Sequence, residues 1–344
     1  MSTALKNIVI VGGGAAGVNA AKVLSKTLDT SKYQLILINP LPYRIWLIAT
    51  LRWSVTNDET LKKDITLPYD KIFANGNGKF VEGTVKSFQA SKEGGSVTLE
   101  SGEVINYHVL LLSQGLSWNG PVAFPRNTTG VKEHIDTIHN QLSKAKHIVL
   151  VGGGAVGIEL AGEIKDEWPE KKVTIVQGDK MLLNDAYPVK ARKAMESSVR
   201  ARGIELILDD YVDFAETETV NGISTRSGTK LSTADLVVQT RGPSPNTAFV
   251  SEALGPSSLS SRGFINVRPT LQLTEYDNIF AAGDTIEWKE QKQSAKAAPH
   301  GALVGANILA FLNNVPLKPY KGAVEMIVVT NGKASRLCFF SRDR

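Results

Sequence analysis

The sequence has almost no cysteine and no long hydrophobic run. Of its 344 residues one is a cysteine, Cys338, which excludes an intramolecular disulfide and a redox-active cysteine pair. A lone cysteine also favours a reducing compartment, and we therefore expect a cytoplasmic protein. No apolar run reaches the length of about 18 residues that a membrane-spanning helix needs, so no such helix is predicted.

The sequence also lacks blocks of like charge and clusters of metal ligands. Its net charge is +5, but the basic residues are spread along the chain and do not select among an anionic cofactor, a membrane surface and nucleic acid. We expect no specific nucleic-acid partner, and a peripheral contact with a membrane or lipid surface stays open. The five histidines lack metal-ligand spacing, so no metal site is predicted.

One short pattern occurs twice in the chain. The first copy is an apolar run at 7–11 followed by GGGAAG, and the second is an apolar run at 147–151 followed by GGGAVG. A further buried-strand pattern comes after each copy, at 33–39 and at 172–177. A strand, a glycine turn, a helix and a second strand form the βαβ opening of a doubly wound parallel sheet. Two such openings predict an α/β protein with two dinucleotide sites.

The glycines of each loop have separate physical roles. Gly12 permits the tight turn, Gly14 lets the backbone approach a pyrophosphate, and Gly17 lets helix and strand pack closely. Free N–H groups at the N-terminus of the helix then face the phosphates. In the second copy the same roles fall to Gly152, Gly154 and Gly157.

The chain is long enough for two domains, and a late acidic residue indicates that they are nested. The stretch at 264–284 ends in an apolar strand, Gly283 and Asp284, and an acid at the carboxyl end of a parallel strand lies where ligands bind. If this strand rejoins the first sheet, the second domain is an insertion in the first. We therefore predict a discontinuous first domain at 1–120 and 246–314, a second domain at 121–245, and a short C-terminal segment at 315–344.

Four motifs resemble those of a known family: VIVGGGAAG, SQG at 113–115, VGGGAVGIELAGE and NIFAAGD. Together they resemble the pyridine-nucleotide disulfide-reductase superfamily, whose fold is two nested Rossmann-like domains of the glutathione-reductase type. Within it the chain looks most like the apoptosis-inducing-factor-like and ferroptosis-suppressor-type flavoproteins. This narrower likeness rests on the missing cysteine pair and on the segments IWLIATLRWSV and YKGAVEMIVVTNGK. The match runs from about Asn7 to about Asn331.

The resemblance implies FAD in the first domain and NADH or NADPH as co-substrate in the second. Asp284 would hydrogen-bond the ribityl chain of FAD, and Arg52 would contact FAD as a permanent cation beside its phosphates. Val85 would touch the adenine side through its backbone. The resemblance further assigns these residues to cofactor binding: Gly12, Gly13, Gly14, Ala15, Ala16 and Gly17 around the pyrophosphate, with Gly115 and Gly283 in the later motifs.

Two residues are candidates for the catalytic centre on the same ground. Glu159 would lie near the nicotinamide amide and the flavin. His300, in a Pro-His-Gly segment at 299–301, would begin a helix aimed at the flavin ring, whose positive end stabilises an anion. Plainer interpretations stay open for both, since each side chain could simply belong to the start of its own helix. Arg52 could equally be a solvated arginine, and Val85 a core residue.

The sequence departs from the family pattern at the end of both second strands. Asn39 stands where an acid is expected on the adenosine ribose of FAD, and an amide can hydrogen-bond a ribose hydroxyl without the charge. Gln177 holds the equivalent position at the second site, where a neutral amide does not repel the 2′-phosphate of NADPH. Lys180 would then be a phosphate partner, and Asp179 a substitute acid. The tail SRLCFFSRDR also differs from the longer C-terminal segment of the family.

These inferences predict an enzyme that transfers hydride from NADH or NADPH through FAD to a quinone or a similar small electron acceptor. No general base is required, since the protein supplies orientation, exclusion of water and charge. Two alternatives stay open: a nucleotide-sensing or signalling flavoprotein of the apoptosis-inducing-factor type, and a biosynthetic flavoenzyme acting on a small organic substrate. A monomer and a homodimer are both compatible with the sequence.

Overall fold

The computed structural model describes residues 4–214, 216–333 and 336–340. Part of the predicted C-terminal segment, at 334–335 and 341–344, lies outside the described residues. The helices are α1 (Ala15–Thr27), α2 (Thr50–Thr56), α3 (Glu59–Ile65), α4 (Thr128–Lys144), α5 (Ala155–Glu167), α6 (Val189–Ala201), α7 (Ala248–Leu254) and α8 (Ser294–Leu312).

The strands follow in chain order. They are β1 (Lys6–Val11), β2 (Tyr33–Asn39), β3 (Tyr43–Ile45), β4 (Thr66–Pro68), β5 (Lys79–Glu82), β6 (Val85–Ser91), β7 (Gly94–Leu99), β8 (Val104–Tyr107), β9 (Val109–Leu112), β10 (Leu116–Ser117), β11 (His147–Val151), β12 (Lys172–Gln177), β13 (Glu205–Leu208), β14 (Glu218–Thr219), β15 (Ile223–Ser224), β16 (Lys230–Leu231), β17 (Leu236–Gln239), β18 (Ser244–Pro245), β19 (Ile279–Ala281), β20 (Met326–Thr330) and β21 (Arg336–Phe340).

The chain divides into two compact units, each with its own sheet and core. The first unit comprises Met1–Arg44, Leu67–Ser117 and Ser244–Ala323, and the second comprises Ile45–Thr66, Trp118–Pro243 and Val324–Arg344. The predicted boundaries differ from this division by two or three residues at 118–120 and 244–245, and by whole segments in two further places. The segment 45–66 belongs to the second unit because α2 packs on α4 and α5. The predicted C-terminal segment is shared, with its first residues in the first unit and the rest in the second.

The main sheet of the first unit is parallel, with the strand order β19-β9-β1-β2-β5. Its central strands are continuous apolar runs because both faces are covered, as in doubly wound folds. The late strand β19 pairs with β9, so the predicted return of the chain to the first sheet is confirmed. An antiparallel sheet, β6-β7-β8, adds Phe88, Val97 and Leu99 to the same core.

The main sheet of the second unit repeats this plan. Its order is β13-β12-β11-β17-β14, parallel except for β14. The antiparallel hairpin β20–β21 contributes Ile327 and Val329 to the core beside α5. The predicted fold class, two nested Rossmann-like α/β units, is therefore confirmed. None of the helices in the described part of the chain combines the length and the apolar character needed to cross a membrane.

In the first unit α1 and α8 approach each other at backbone distance. A Cβ atom added at Gly301 of α8 would lie 1.9 Å from the carbonyl oxygen of Ala16 in α1. The structure corrects one prediction here, because α8 begins at Ser294 and includes Pro299 in its interior. His300 therefore lies in the second turn of the helix, where it faces the core, and it does not begin the helix.

We expect Gly301→Ala to destabilise the first unit. The new methyl group would meet backbone atoms that cannot rotate away, and overpacking of this kind costs about 1–3 kcal/mol, more than the gain of about 1 kcal/mol in helix propensity. The free energy of unfolding in urea measures the effect. Gly242→Ala is the control, since a Cβ atom there would have no neighbour within 4 Å. Equal stability of the two variants would contradict the close approach.

Candidate functional site

The glycine loop of the first unit turns tightly between β1 and α1. Gly12 has a φ of +98°, a backbone conformation that costs other residues free energy. A Cβ atom there would lie 2.5 Å from the carbonyl oxygen of Ser113. A Cβ atom at Gly17 would lie 1.9 Å from the carbonyl oxygen of Gly12. Both predicted roles, the turn and the close packing of helix on strand, are thus visible in the geometry.

Side chains from three other segments fix this loop. The amide oxygen of Asn39 accepts a hydrogen bond of 3.0 Å from the Gly13 N–H, and the Tyr69 hydroxyl donates to the Gly13 carbonyl at 2.8 Å. The Ser113 hydroxyl lies 2.9 Å from the carbonyls of both Val11 and Gly12. Tyr69 and the hydroxyl of Ser113 were not predicted as anchors, because their contacts depend on tertiary folding.

The front of the loop is open. A Cβ atom at Gly14 would meet nothing within 4 Å, and no side chain caps the N-terminus of α1. The first-turn N–H groups of a helix carry partial positive charge and need partners. A backbone that can be approached closely, with free donors behind it, fits a diphosphate. The predicted contact of Gly12–Ala16 with the pyrophosphate of FAD stays a prediction.

Asp284 follows β19 at the carboxyl edge of the same sheet. Burial raises the pKa of its carboxyl group above the ordinary value, although Lys292 and His300 oppose the shift. Asp284 is half-buried, and within the described residues its side chain accepts no hydrogen bond, which costs free energy in a partly desolvated carboxyl group. A ligand hydroxyl at this position would supply the missing donor. Gly283, whose φ is +81°, turns the chain just before it.

Both ring nitrogens of His300 lie close to protein groups. Its Nδ1 accepts a hydrogen bond of 3.2 Å from the Gly283 N–H, which leaves the proton on Nε2. Nε2 lies 2.8 Å from a carboxylate oxygen of Glu290, and both side chains are almost fully buried. The Tyr320 hydroxyl donates to the other oxygen of Glu290 at 3.1 Å. His300 thus holds the turn that carries Asp284.

The second unit repeats the loop anchors with different residues. Gly152 has a φ of +125°, and the Thr240 hydroxyl donates to its carbonyl at 2.8 Å. Gln177 accepts a hydrogen bond of 2.8 Å from the Gly153 N–H. A Cβ atom at Gly157 would lie 2.0 Å from the Gly152 carbonyl oxygen, whereas one at Gly154 would meet nothing within 4 Å. The second loop is therefore also anchored behind and open in front.

The loop that follows β12 is pinned by an arginine that was not predicted. Arg192 of α6 is nearly buried and lies 2.9 Å from Asp179. It also donates to the carbonyls of Leu182 at 2.9 Å and of Met181 at 3.2 Å. Asp179, predicted as a substitute acid for the ribose, is therefore neutralised by an ion pair. Lys180, the predicted phosphate partner, is exposed beside it.

Glu159 lies on α5, half-buried beside the C-terminal hairpin. One carboxylate oxygen accepts hydrogen bonds from the backbone N–H of Thr330 at 3.1 Å and from its hydroxyl at 3.3 Å. Burial raises the pKa of Glu159, and the two hydrogen bonds only partly offset the shift. The role of Glu159 at the nicotinamide amide stays a prediction.

The structure also gives the positions of three other residues that were predicted to bind FAD, Arg52, Val85 and Gly115. Arg52 of α2 forms a two-point ion pair with Glu163 of α5, at 3.0 and 2.8 Å, within the second unit. Val85 starts β6 and packs against the core of the first unit. Gly115 follows β9 and accepts a hydrogen bond of 3.2 Å from the N–H of Asn246. The contacts of Arg52 and Val85 with FAD stay predictions.

Comparisons with known proteins agree with this geometry. A family model described as pyridine nucleotide-disulphide oxidoreductase matches residues 6–302. The FAD-dependent oxidoreductase FVFD30 of Flammulina velutipes is 42% identical over 287 residues, which are 83% of this chain and 89% of that protein. Ferroptosis suppressor protein 1 of Mus musculus is 28% identical over 342 residues, 97% of this chain and 88% of that protein.

A solved structure shows the same fold. The reduced CoADR-RHD of Bacillus anthracis superposes with a TM-score of 0.74 at 20% sequence identity. The match covers 96% of this chain but 60% of that one, so the chain spans less than two thirds of that protein. At this identity the likeness concerns the fold.

We expect Glu159→Gln to change how stability depends on pH. A raised pKa means that the folded state prefers the neutral acid, so the parent loses stability as pH rises through that pKa. The amide does not titrate. The unfolding free energy of the variant should therefore improve relative to the parent as pH rises above the ordinary pKa of a glutamate, about 4. Glu133→Gln, at an exposed glutamate of α4, controls for the loss of a charge. Parallel curves for Glu159→Gln and the parent would show that burial does not control this carboxyl group.

Proposed function

The chain belongs to the pyridine nucleotide-disulphide oxidoreductase family, and we propose that it passes electrons from NADH or NADPH through FAD to a quinone or a similar small acceptor. The observation that carries the proposal is the duplicated glycine loop. In each unit the loop is anchored from behind and open in front, next to the uncapped N-terminus of a helix. Two such sites in one chain fit two dinucleotides.

The first unit is proposed to hold FAD. The N–H groups at the start of α1 would bind the pyrophosphate, with Gly14 allowing the close approach. Asp284 would accept a hydrogen bond from a ribityl hydroxyl, the partner that it lacks among the described residues. His300 and Glu290 act through Asp284 and not on the cofactor itself, because His300 accepts a hydrogen bond from the N–H of Gly283, the residue before Asp284. They position Asp284 and are not required to touch the flavin.

The second unit is proposed to hold NADH or NADPH. The N–H groups at the start of α5 would bind its pyrophosphate, and Glu159 would orient the nicotinamide amide. When bound, FAD would supply the redox chemistry: it would take up the hydride of the nicotinamide and pass the two electrons on to the acceptor. The protein contributes orientation, exclusion of water and charge. Gln177 brings no negative charge to the ribose position, which admits both nucleotides.

The class of electron acceptor is proposed from the cysteine content of the chain. Cys338 is the only cysteine and is exposed, so electrons cannot leave through a pair of thiols within the chain. This favours a small acceptor that reacts with the reduced cofactor directly. The choice of a quinone rests on the resemblance of the motifs to ferroptosis-suppressor-type flavoproteins, and the FAD-dependent oxidoreductase among the relatives supports the wider class.

We expect Asp284→Ala to lower the FAD content of the purified protein severalfold. The substitution removes an acceptor whose loss leaves a ribityl hydroxyl unpaired, a change worth about 1–3 kcal/mol. Flavin released on denaturation, measured per mole of protein, reports the occupancy. Asp277→Ala is the matched control, since Asp277 is an exposed aspartate of the same segment paired with Arg268. Full FAD content in Asp284→Ala would remove this residue from the site.

The proposed function as a whole is tested by an anaerobic titration. NADH and NADPH should each bleach the flavin absorbance near stoichiometry, with efficiencies within about tenfold of each other, a span of about 1.4 kcal/mol. A short-chain quinone added next should restore the oxidised spectrum. A flavin that neither nucleotide reduces would refute the proposal. Rapid reduction without reoxidation by any quinone of a panel would refute the acceptor alone.

A further inference from the structure

In the second unit a tyrosine and an arginine lie where the adenine end of a dinucleotide should reach, and we propose that Tyr211 stacks on the adenine while Arg226 recognises the 2′-position of its ribose. The inference rests on the proposed binding of NADH or NADPH in this unit. It concerns the residues that distinguish the two nucleotides, for which Gln177, Asp179 and Lys180 were the candidates from sequence.

The sheet order fixes where the adenosine lies. The pyrophosphate belongs at the turn between β11 and α5, and the adenosine ribose belongs at the carboxyl end of β12. The next strand in that direction is β13, which pairs with β12 so that Leu208 lies opposite Gln177. A base attached to this ribose therefore extends over the segment that follows β13, at residues 209–213.

That segment is bound to the ribose loop. The N–H of Asp210 donates to the Gln177 carbonyl at 3.2 Å, and the N–H of Asp209 donates to the Asp179 carbonyl at 3.0 Å. The ring of Tyr211 lies against Gly178, where an added Cβ atom would be 2.2 Å from the ring. A side chain at position 178 would thus displace the tyrosine. Gly178 provides the space in which the ring lies beside Gln177.

Tyr211 is 49% exposed, although its ring lies against Gly178. An exposed ring at the carboxyl edge of this sheet offers a flat apolar surface to a base. The Arg226 guanidinium lies 5.2 Å from the ring centre, and the backbone N–H of Arg226 donates to the Tyr211 carbonyl at 2.8 Å. These two contacts place the side chains of Arg226 and Tyr211 next to each other.

The Arg226 guanidinium is open to solvent, where one anion can replace another. It holds Asp213 by a two-point ion pair, with its Nε 2.8 Å from one carboxylate oxygen and a terminal nitrogen 2.5 Å from the other, and both side chains are more than half exposed. A 2′-phosphate carries more charge than a carboxylate and matches the planar guanidinium with two hydrogen bonds. NADH has a neutral 2′-hydroxyl at this position, which does not displace the carboxylate, so the ion pair between Arg226 and Asp213 stays intact when NADH binds. Arg226 therefore favours NADPH, whereas Tyr211 serves both nucleotides.

Isothermal titration of the FAD-loaded protein with ADP-ribose and with 2′-phospho-ADP-ribose tests the assignment without any redox step. Tyr211→Ala should weaken the binding of both fragments about tenfold or more, whereas Tyr211→Phe keeps the ring and should bind like the parent. Arg226→Ala should weaken 2′-phospho-ADP-ribose at least fivefold more than ADP-ribose. Arg262→Ala is the matched control, because Arg262 of the first unit also pairs with a carboxylate and lies over an aromatic ring, Phe264.

The outcomes separate this inference from the proposed function. If the parent binds both fragments and Tyr211→Ala binds them within twofold of the parent, the adenine assignment is wrong while the proposed function stands. Equal losses for both fragments in Arg226→Ala would overturn the assignment at the 2′-position. A parent that binds neither fragment, and whose flavin neither nucleotide reduces, would overturn the proposed function and this inference with it.

Discussion

Both units depend on a single close approach, that of the first helical turn to the carbonyl group of the first glycine in the loop. A Cβ atom at Gly17 or Gly157 would lie about 2 Å from that oxygen, so only hydrogen fits there. The same carbonyl accepts a hydroxyl hydrogen bond from the residue that follows the neighbouring strand, Ser113 after β9 in the first unit and Thr240 after β17 in the second. Because helix and strand meet at backbone distance, the helix N-terminus comes to the carboxyl edge of the sheet, where every later feature of the site is built.

Each glycine loop is fixed by hydrogen bonds on its rear side, whereas the N–H groups at the helix N-terminus on its front side have no side-chain cap. Their backbone groups behind the turn are held by side-chain amides, by the Tyr69 hydroxyl and by neighbouring strands, whereas the helix N-termini have no side-chain cap. A site that must move to bind would lose part of its binding energy in reorganisation, and fixed donors avoid that cost. The half-buried Asp284 is positioned in the same way. Its turn is held by His300, which is held in turn by Glu290, so the carboxyl group is positioned before any ligand arrives.

The βαβ openings, the glycine turns and the nesting followed from the sequence because each depends on local pattern or on the length of a connection. What could not be predicted depends on distant partners. Nothing near Arg52 in sequence indicates its ion pair with Glu163, 111 positions away. The start of α8 was placed too late because Pro299 reads as a helix beginning. In the structure Pro299 and Ala295 are both exposed, so the carbonyl that lacks a partner can turn to water and the helix continues through the proline.

At the end of each second strand an amide, Asn39 or Gln177, stands in place of an acid. This exchange has two consequences. A carboxylate at position 39 or 177 could accept the same glycine N–H, so the anchor does not explain the amide. The difference is charge. Asn39 and Gln177 each give their oxygen to the loop and donate to a nearby carbonyl, of Leu41 and Met181 respectively, which a carboxylate cannot do. The loop gains a second hydrogen bond, and the ribose position loses its negative charge. In the proposed binding mode, discrimination between NADH and NADPH would then fall to charges farther along the edge, and Arg226 and Asp213 lie there, beyond β13.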